Sequence, residues 1–193
     1  TAGRLSQLTV PEGVYRYDYD PTTGKRTTIT VPDGGTLRTT YTGALRTRTR
    51  WNGAVAGRVG YGYDNDFRVT VLTVNGANSI ALQYDADSLL TSAGTLTLSR
   101  DSQNGLLTGT ILGSVTDIYV YNGFGEVTAY EAQYGATSLL GFAYDRDPLG
   151  RIAQKREMRN GVTRIFNYGY DLAGRLSEVR RDGILLSRYT YDA

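Results

Sequence analysis

Carboxylates recur in pairs two residues apart along this chain, an arrangement that can bind a hard cation such as Ca²⁺. The pairs are Asp18/Asp20, Asp64/Asp66, Asp85/Asp87 and Asp145/Asp147. Ca²⁺ takes about six to eight oxygen ligands, and none of these stretches has the loop spacing of an EF-hand. Aspartate also caps turns, because its side chain accepts hydrogen bonds from backbone N–H groups just downstream. We therefore interpret these carboxylates as turn caps and predict no metal site.

Acid–base catalysis has few candidate groups. The chain has no histidine and no cysteine, which removes the commonest general base and the usual zinc ligands. A Ser or Thr nucleophile would need a lysine or a carboxylate as its base. Lys25 and Lys155 are the only lysines, and neither lies in a recognisable catalytic motif. We predict that the protein is not an enzyme, with no catalytic residues and no cofactor.

Aromatic and basic side chains are the remaining candidates for binding. The 16 tyrosines can form a platform for carbohydrate, and two basic stripes can hold sulfated glycans or an acidic cargo. The stripes are Arg46, Arg48, Arg50 and Arg58, and Lys155, Arg156, Arg159 and Arg164. We favour repeat packing for the tyrosines and a solvated strand face for the arginines, with glycan binding as the alternative. The net charge of +2 does not favour a nucleic-acid partner, and no apolar run approaches the roughly 20 residues of a membrane span.

The tyrosines belong to an internal repeat. The motif Tyr-x-Tyr-Asp or a close variant recurs, with its second tyrosine at positions 19, 41, 63, 84, 121, 144, 170 and 191. The spacing is 21 to 26 residues except between 84 and 121, where we expect a degenerate unit that has lost its tyrosine. Such a period is typical of repeat architectures.

Two further markers define the unit. The Tyr-Asp is followed by a turn whose clearest form is Asp171-Leu-Ala-Gly174-Arg175-Leu176, repeated at Asp147–Ile152. A mid-unit pair predicts a hairpin turn, because type I′ turns need positive φ at both central residues. These pairs are Glu12-Gly13, Asp33-Gly34, Asn52-Gly53, Asn75-Gly76, Asn160-Gly161 and Asp182-Gly183.

The elements that position these residues are predicted to be strands. In Leu45–Trp51 arginines alternate with Leu, Thr and Trp, as on a half-buried strand. Residues 151–159 have helical propensity, but the repeat places a hairpin turn at Asn160-Gly161, so we predict a strand. The paired tyrosines share one face and are expected to stack on tyrosines of neighbouring hairpins.

The pattern Tyr-x-Tyr-Asp-x-x-Gly-Arg-Leu resembles the YD repeat of the Rhs family, which includes polymorphic-toxin shells, the cocoons of ABC toxins and teneurins. The resemblance covers residues 1–193 as one repeat region of about nine hairpin units, degenerate around 86–118, with no separate second domain. It implies an all-β fold of tandem antiparallel hairpins in a curved, spiralling sheet. The chain begins inside a unit at Gly3-Arg4-Leu5, so we expect a fragment of a longer protein. About 18 strands at roughly 4.8 Å each make an open arc of a shell and not a closed container.

The resemblance also implies a function. Bacterial members enclose a C-terminal toxin, so the implied partners are the rest of the parent chain and a toxin cargo, and the implied location is secreted or on the bacterial cell surface. Free sheet edges are expected to allow self-association. The residues predicted to carry the structural repeat are Tyr17, Tyr19, Asp20, Tyr61, Tyr63, Asp64, Tyr84, Asp85, Tyr119, Tyr121, Tyr144, Asp145, Gly150, Arg151, Tyr168, Tyr170, Asp171, Gly174, Arg175, Leu176, Tyr189, Tyr191 and Asp192.

Overall fold

The computed structural model describes residues 3–192, and these form eighteen β-strands and no helix. The chain divides into two compact units, Thr1–Gly94 and Thr95–Ala193. The strands of the first unit are β1 Gln7–Val10, β2 Gly13–Tyr19, β3 Arg26–Thr30, β4 Thr36–Thr42, β5 Leu45–Asn52, β6 Gly57–Tyr63, β7 Val69–Val74, β8 Asn78–Tyr84 and β9 Leu90–Ala93. Those of the second are β10 Leu96–Arg100, β11 Leu107–Leu112, β12 Val115–Tyr121, β13 Val127–Tyr134, β14 Thr137–Arg146, β15 Ile152–Arg159, β16 Val162–Tyr170, β17 Leu176–Arg181 and β18 Ile184–Arg188.

Within each unit every strand pairs antiparallel with the next strand along the chain. The all-β prediction of tandem antiparallel hairpins is therefore confirmed. Residues 152–159 form strand β15, as the repeat required and against their helical propensity. The stretch 86–118, where the motifs fade, is also built of strands, namely β9, β10, β11 and the start of β12.

The mid-unit turns lie at strand ends, as predicted. Asn75-Gly76 has φ angles of +54° and +79°, Asn160-Gly161 of +49° and +77°, and Asp182-Gly183 of +51° and +83°, whereas at Glu12-Gly13, Asp33-Gly34 and Asn52-Gly53 only the glycine has a positive φ. Two positive φ angles in succession are the mark of a type I′ hairpin. Gly113 and Gly135 provide further hairpin turns with φ of +59° and +56°, and these glycines lack the Asn or Asp that would have revealed them in the sequence.

The connections between hairpins carry a β-bulge. The strand register shifts immediately before the last residue of the strand, for example between Gly62 and Tyr63, between Val120 and Tyr121, and between Gly169 and Tyr170. A bulge re-aims the side chains next to it. The bulge therefore sets the orientation of the tyrosine that precedes each connecting turn.

The sheet faces differ in exposure, but no hydrophobic side chain in the described part of the chain is fully buried. In β5 the exposure alternates, with Leu45, Thr47, Thr49 and Trp51 half-buried and the three arginines between them exposed, as the sequence predicted. The half-buried face is also the face of the tyrosines: Tyr17 and Tyr19 flank the exposed Asp18. Packing on this side is therefore lateral, between neighbouring strands of one layer.

Candidate functional site: a clamp at the open end of the hairpin

The connecting turn is organised by one carboxylate. The Oδ1 atom of Asp147 accepts the backbone N–H groups of Leu149 and Arg151, both at 3.0 Å, and the N–H of Asp147 donates to the carbonyl of Arg151 at 2.9 Å. Gly150 has a φ of +79°, which it adopts without the steric cost of a side chain. Turns with the same side-chain acceptor begin at Asp64, Asp85, Asn122 and Asp171.

An arginine completes the turn. The Nε atom of Arg151 donates to Oδ2 of Asp147 at 2.8 Å, and Arg68–Asp64 and Arg175–Asp171 have the same distance. The hydrogen bond from Arg151 holds the pKa of Asp147 below its ordinary value of 3.8. The aspartate thus uses one oxygen to fix the backbone and the other to fix the guanidinium.

The tyrosine of the next hairpin meets this arginine. The Tyr170 hydroxyl donates to the carbonyl of Ile152 at 2.8 Å, and the Arg151 guanidinium carbon lies 4.3 Å from the centre of the Tyr170 ring. An arginine over an aromatic face is attracted by the quadrupole of the ring. We call the Asp and Arg of one turn, together with the Tyr of the following hairpin, the clamp.

The complete clamp occurs at Asp64/Arg68/Tyr84, Asp147/Arg151/Tyr170 and Asp171/Arg175/Tyr191, and parts of it recur along both units. Hydroxyl-to-carbonyl bonds join Tyr19 to Leu5, Tyr41 to Arg26, Tyr63 to Arg46, Tyr84 to Val69, Tyr121 to Leu107 and Tyr191 to Leu176. A cation also lies over the ring of Tyr19, Tyr41, Tyr84 and Tyr191. Each hydroxyl bond joins the end of a hairpin's second strand to the start of its first strand, and each cation comes from the residues just before that hairpin.

The second tyrosines of successive motifs do not stack on each other within residues 3–192, and the expected stacking between neighbouring hairpins occurs at Tyr119 and Tyr130. Equivalent tyrosines occur on every second strand, about 10 Å apart, whereas aromatic pairs need centroids within about 7 Å. The arginine of the intervening turn occupies the gap. The first tyrosines of the motif, such as Tyr17 and Tyr168, lie half-buried on the same face without this clamp geometry.

Two arginines stand where the pattern requires the clamp tyrosine. Arg146 is the residue before the turn aspartate Asp147, so it occupies the tyrosine position, and the predicted motif residues Tyr144 and Asp145 lie two residues too early for that role. The Arg146 Nη1 atom donates to the carbonyl of Gly150 at 2.9 Å, and Nη2 reaches the carbonyl of Val127 at 3.5 Å. The second such arginine is Arg100. Its Nη1 atom donates to the carbonyl of Gly105 at 3.0 Å, as Arg146 does to Gly150. Arg100 precedes the turn residue Asp101, so Arg100-Asp101 is the altered Tyr-Asp of the degenerate unit.

The clamp that contains Arg146 is reversed in charge. Asn122 replaces the turn aspartate and Glu126 replaces the arginine. Asn122 Nδ2 donates to Glu126 Oε2 at 2.7 Å, and Arg146 Nε lies 3.4 Å from the same oxygen. Asn122, Glu126 and Arg146 thus differ from the repeat at all three clamp positions. Together they still make a favourable contact, in which the acid lies on the turn and the cation on the following hairpin.

A ladder of aromatic rings extends this face in the second unit. Tyr119 and Tyr130 are 4.9 Å apart between centroids, and Tyr130 and Phe142 are 6.0 Å apart. Lys155 lies over both Phe142 and Phe166, at 5.3 and 4.5 Å, and pairs with Glu157 at 2.7 Å. Burial raises the pKa of Tyr119 and Tyr130, and the hydrogen bond from Lys155 lowers that of Glu157. Tyr130 and Phe166 lie outside the repeat motif, so the period did not reveal them.

The Asp-x-Asp pairs act within turns. Asp20, Asp64, Asp85 and Asp147 each accept backbone N–H groups of their own turn. Among residues 3–192 no three acidic, histidine or cysteine side chains come together in a way that could hold a metal ion. These residues also include no helix that is long and apolar enough to cross a membrane.

A family model described as Teneurin YD-shell matches residues 1–193. The chain belongs to the Teneurin YD-shell family. This YD-shell chain is also similar to a Tc holotoxin pore of Photorhabdus luminescens with a mutated TccC3 component, at a TM-score of 0.63 and 11% identity, over 93% of this chain and 13% of the other. At such identities the likeness shows the fold alone.

Two crystal structures give the same result. The YD-shell chain matches TcdB2-TccC3-TEV at a TM-score of 0.58 and 12% identity, over 93% of this chain and 13% of that one. It matches TcdB2-TccC3-Cdc42 at 0.52 and 14%, over 88% and 9% of the two chains. The YD-shell chain therefore spans a small part of the chains it resembles. No curated protein sequence matches it.

Proposed function

We propose that this chain is a non-catalytic wall segment of a YD-repeat shell that encloses a C-terminal toxin or a similar cargo. The clamp is the observation that carries the proposal. Its tyrosine closes the open end of a hairpin, and its arginine and aspartate hold the turn that leads into that hairpin, so the side chains with the most specific geometry are engaged in building the sheet. The function is confinement: the wall separates the cargo from its surroundings until release.

The predicted motif residues have structural roles in this proposal. The second tyrosine, the aspartate and the arginine form the clamp, while Gly150 and Gly174 supply the positive φ of the turn. We propose that residues 1–193 act as one repeat region of about nine units. The partners are then the remainder of the parent chain and the enclosed cargo, and the location is outside the cytoplasm or on the cell surface.

The sheet face opposite the clamp offers a surface for cargo. A depression of about 400 Å³ in the second unit is lined by Ile118, Val120 and Met158 together with small, aromatic and charged residues, among them Glu131 and Arg156. Ile118 and Val120 are 53% and 50% exposed, and exposed apolar patches mark interaction sites. An unfolded cargo segment presents apolar side chains that fit such a surface.

Edge strands support self-association. Within the second unit β18 pairs with β17 alone, and its residues Ile184, Leu185 and Leu186 are 70%, 42% and 46% exposed. An apolar strand with an unpaired edge is a template for another strand. In the parent protein the same edge would pair with the continuing wall.

The alternative is a carbohydrate-binding module built on the tyrosines. The clamp disfavours this alternative, since five of the second tyrosines carry both a cation over the ring and a hydrogen bond on the hydroxyl, namely Tyr19, Tyr41, Tyr84, Tyr170 and Tyr191. A free aromatic platform needs an open ring face. Glycan recognition through aromatic stacking is therefore the weaker proposal.

Limited proteolysis of the full-length polypeptide tests the shell. With an intact wall the cargo region resists protease, and Tyr170→Ala with Tyr191→Ala opens the clamp and exposes it. Leu172→Ala is the control, because that side chain is fully exposed and contributes nothing to the wall. Equal digestion of the cargo in the intact protein and in the isolated cargo would overturn the proposal.

A further inference from the structure

Strands β4, β5 and β6 carry arginines without acids. Residues 36–63 include five arginines and no Asp or Glu, in a chain whose net charge is only +2. Arg46 belongs to the clamp, since its carbonyl accepts the Tyr63 hydroxyl and its guanidinium lies 4.6 Å from the centre of the Tyr61 ring. The other four are Arg38, Arg48, Arg50 and Arg58, and we call them the arginine grid.

The register places the grid on one face. Arg38 is directly opposite Arg50, and Arg50 is directly opposite Arg58. Neighbouring strands are about 4.8 Å apart, and Arg48 is about 6.8 Å from Arg50 along the same strand. All four side chains are exposed.

The grid has no counter-charge within reach. Among residues 3–192 none of the four arginines makes an ion pair, whereas Arg68, Arg151, Arg175 and others do. Asp18 shares the face but lies two strands from Arg38, across Thr28. The carboxylate of Asp33, in the turn before β4, is engaged within its own turn, where it accepts the N–H of Gly35 at 2.8 Å.

This arrangement costs stability, because like charges directly opposite on neighbouring strands repel. If the arginines served only to keep the strand face solvated, acids or threonines would be expected between them, and they would not lie directly opposite one another. Solvation alone does not explain three arginines opposed across three strands with no carboxylate between them. An anionic ligand would relieve the repulsion.

Arg58 is held in place before any ligand arrives. Its backbone N–H donates to the Asn75 side chain at 2.9 Å, and its Nη2 atom reaches the Asn75 carbonyl at 3.4 Å. Its guanidinium lies so close to Gly76 that a Cβ there would collide with it. A guanidinium fixed in this way loses little entropy on binding.

Two depressions adjoin on this face. One of about 290 Å³ is lined by Arg50, Arg58, Asn52 and Asn75, and the other, of about 240 Å³, by Arg48, Arg58 and Thr73. Each offers a guanidinium pair for an oxyanion together with amide or hydroxyl groups. Because Arg58 lines both depressions, one ligand with two anionic groups can occupy them together.

The surroundings select the class of polyanion. The aromatic residues of these strands are all half-buried on the opposite face, so nucleic-acid bases have nothing on which to stack; they are Tyr41, Trp51, Tyr61 and Tyr63. Thr40 and Gly60 give an acidic peptide no apolar surface. Sugar hydroxyls, in contrast, can bond to Asn and Thr, and sulfate esters suit the planar fork of arginine.

We propose that the arginine grid of β4–β6 binds a sulfated polysaccharide, with sulfate groups at the two adjoining depressions. The grid lies on the sheet face opposite the tyrosines, and its heparin test does not depend on the proposed shell function.

Binding of the 193-residue chain to immobilised heparin, measured with increasing NaCl, tests the proposal. Arg48→Gln with Arg50→Gln should weaken binding about tenfold for each arginine removed and lower the salt dependence, since fewer counterions are displaced. The control is Arg156→Gln with Arg188→Gln, which removes the same charge from arginines already paired with Asp145 and Glu178. The control should bind like the original chain.

Thermal unfolding of the same variants distinguishes the loss of a binding site from the loss of folding. The grid variant should unfold at the same temperature or higher, because a repulsion is removed, and Arg48→Lys with Arg50→Lys should bind with intermediate strength. Equal heparin affinity of the grid and control variants would overturn the site. Tighter binding of single-stranded polynucleotide or polyglutamate than of heparin would overturn the assignment to sulfated glycan.

Discussion

The Tyr170 hydroxyl is the smallest part of the clamp that can be removed without disturbing the rest. Tyr170→Phe keeps the ring beneath the Arg151 guanidinium and deletes only the 2.8 Å hydrogen bond to the carbonyl of Ile152. A hydrogen bond of this kind contributes about 0.5–1.5 kcal/mol net. The carbonyl of Ile152, a half-buried residue, is left without this partner, so we expect a loss of about 1 kcal/mol.

Chemical and thermal unfolding of the 193-residue chain measure the loss. A change of 1 kcal/mol in a chain of this size lowers the melting temperature by about 2–4 °C. Tyr168→Phe is the matched control, because this hydroxyl lies two residues away on the same face and makes no hydrogen bond within residues 3–192. Its free energy of unfolding should change by less than about 0.5 kcal/mol.

Tyr170→Leu measures the contribution of the cation–π contact between Arg151 and the Tyr170 ring. It removes the ring as well as the hydroxyl, and loss of the cation–π contact should add about 0.5–1 kcal/mol. If Tyr170→Phe and Tyr168→Phe unfold alike, the hydroxyl does not stabilise the open end of the hairpin, and the clamp account is refuted.

Three further predictions concern the turns and the reversed clamp. Phe67 has a φ of +62° and is 70% exposed, so Phe67→Gly should stabilise the chain by about 0.5–1 kcal/mol in denaturant unfolding; a loss of stability would show that the ring packs. Glu126→Arg should destabilise the chain by placing two cations together, and adding Arg146→Tyr should recover about 1 kcal/mol as coupling in a double-mutant cycle; simple additivity would contradict the reversed clamp. The hydrogen bond from Arg175 holds the pKa of Asp171 below 3.8, so its contribution is complete above that pH and is lost as the pH falls through the folded-state pKa. Acid unfolding of Asp171→Asn should therefore be less steep, and an unchanged acid limb would contradict this role.

The sequence was sufficient to predict the strands, because period, turn pairs and alternation agree. Asn160-Gly161 decided that residues 152–159 are a strand, although their composition favours a helix. Hairpins at Gly113 and Gly135 were missed, since a single glycine without Asn or Asp has many other uses. The strand period thus predicted the sheet better than any local propensity.

The clamp was only partly predictable. The sequence marked tyrosine, aspartate and arginine, but it could not show that the arginine serves the tyrosine of the next hairpin, which depends on strand spacing. It also located the motif at Tyr144-Asp145, because Tyr-Asp is the conspicuous pair. The bulge before Arg146 and the turn at Asp147 show that Arg146 holds the tyrosine position.

The central claim is that this chain forms a segment of the wall of a YD-repeat shell. A cryo-electron microscopy map of the full-length protein tests it most directly. The account predicts that residues 1–193 form part of a continuous hairpin wall around a cavity that contains density from the C-terminal region. A map in which the segment stands apart from any cavity, with the C-terminal region folded outside it, would contradict the account.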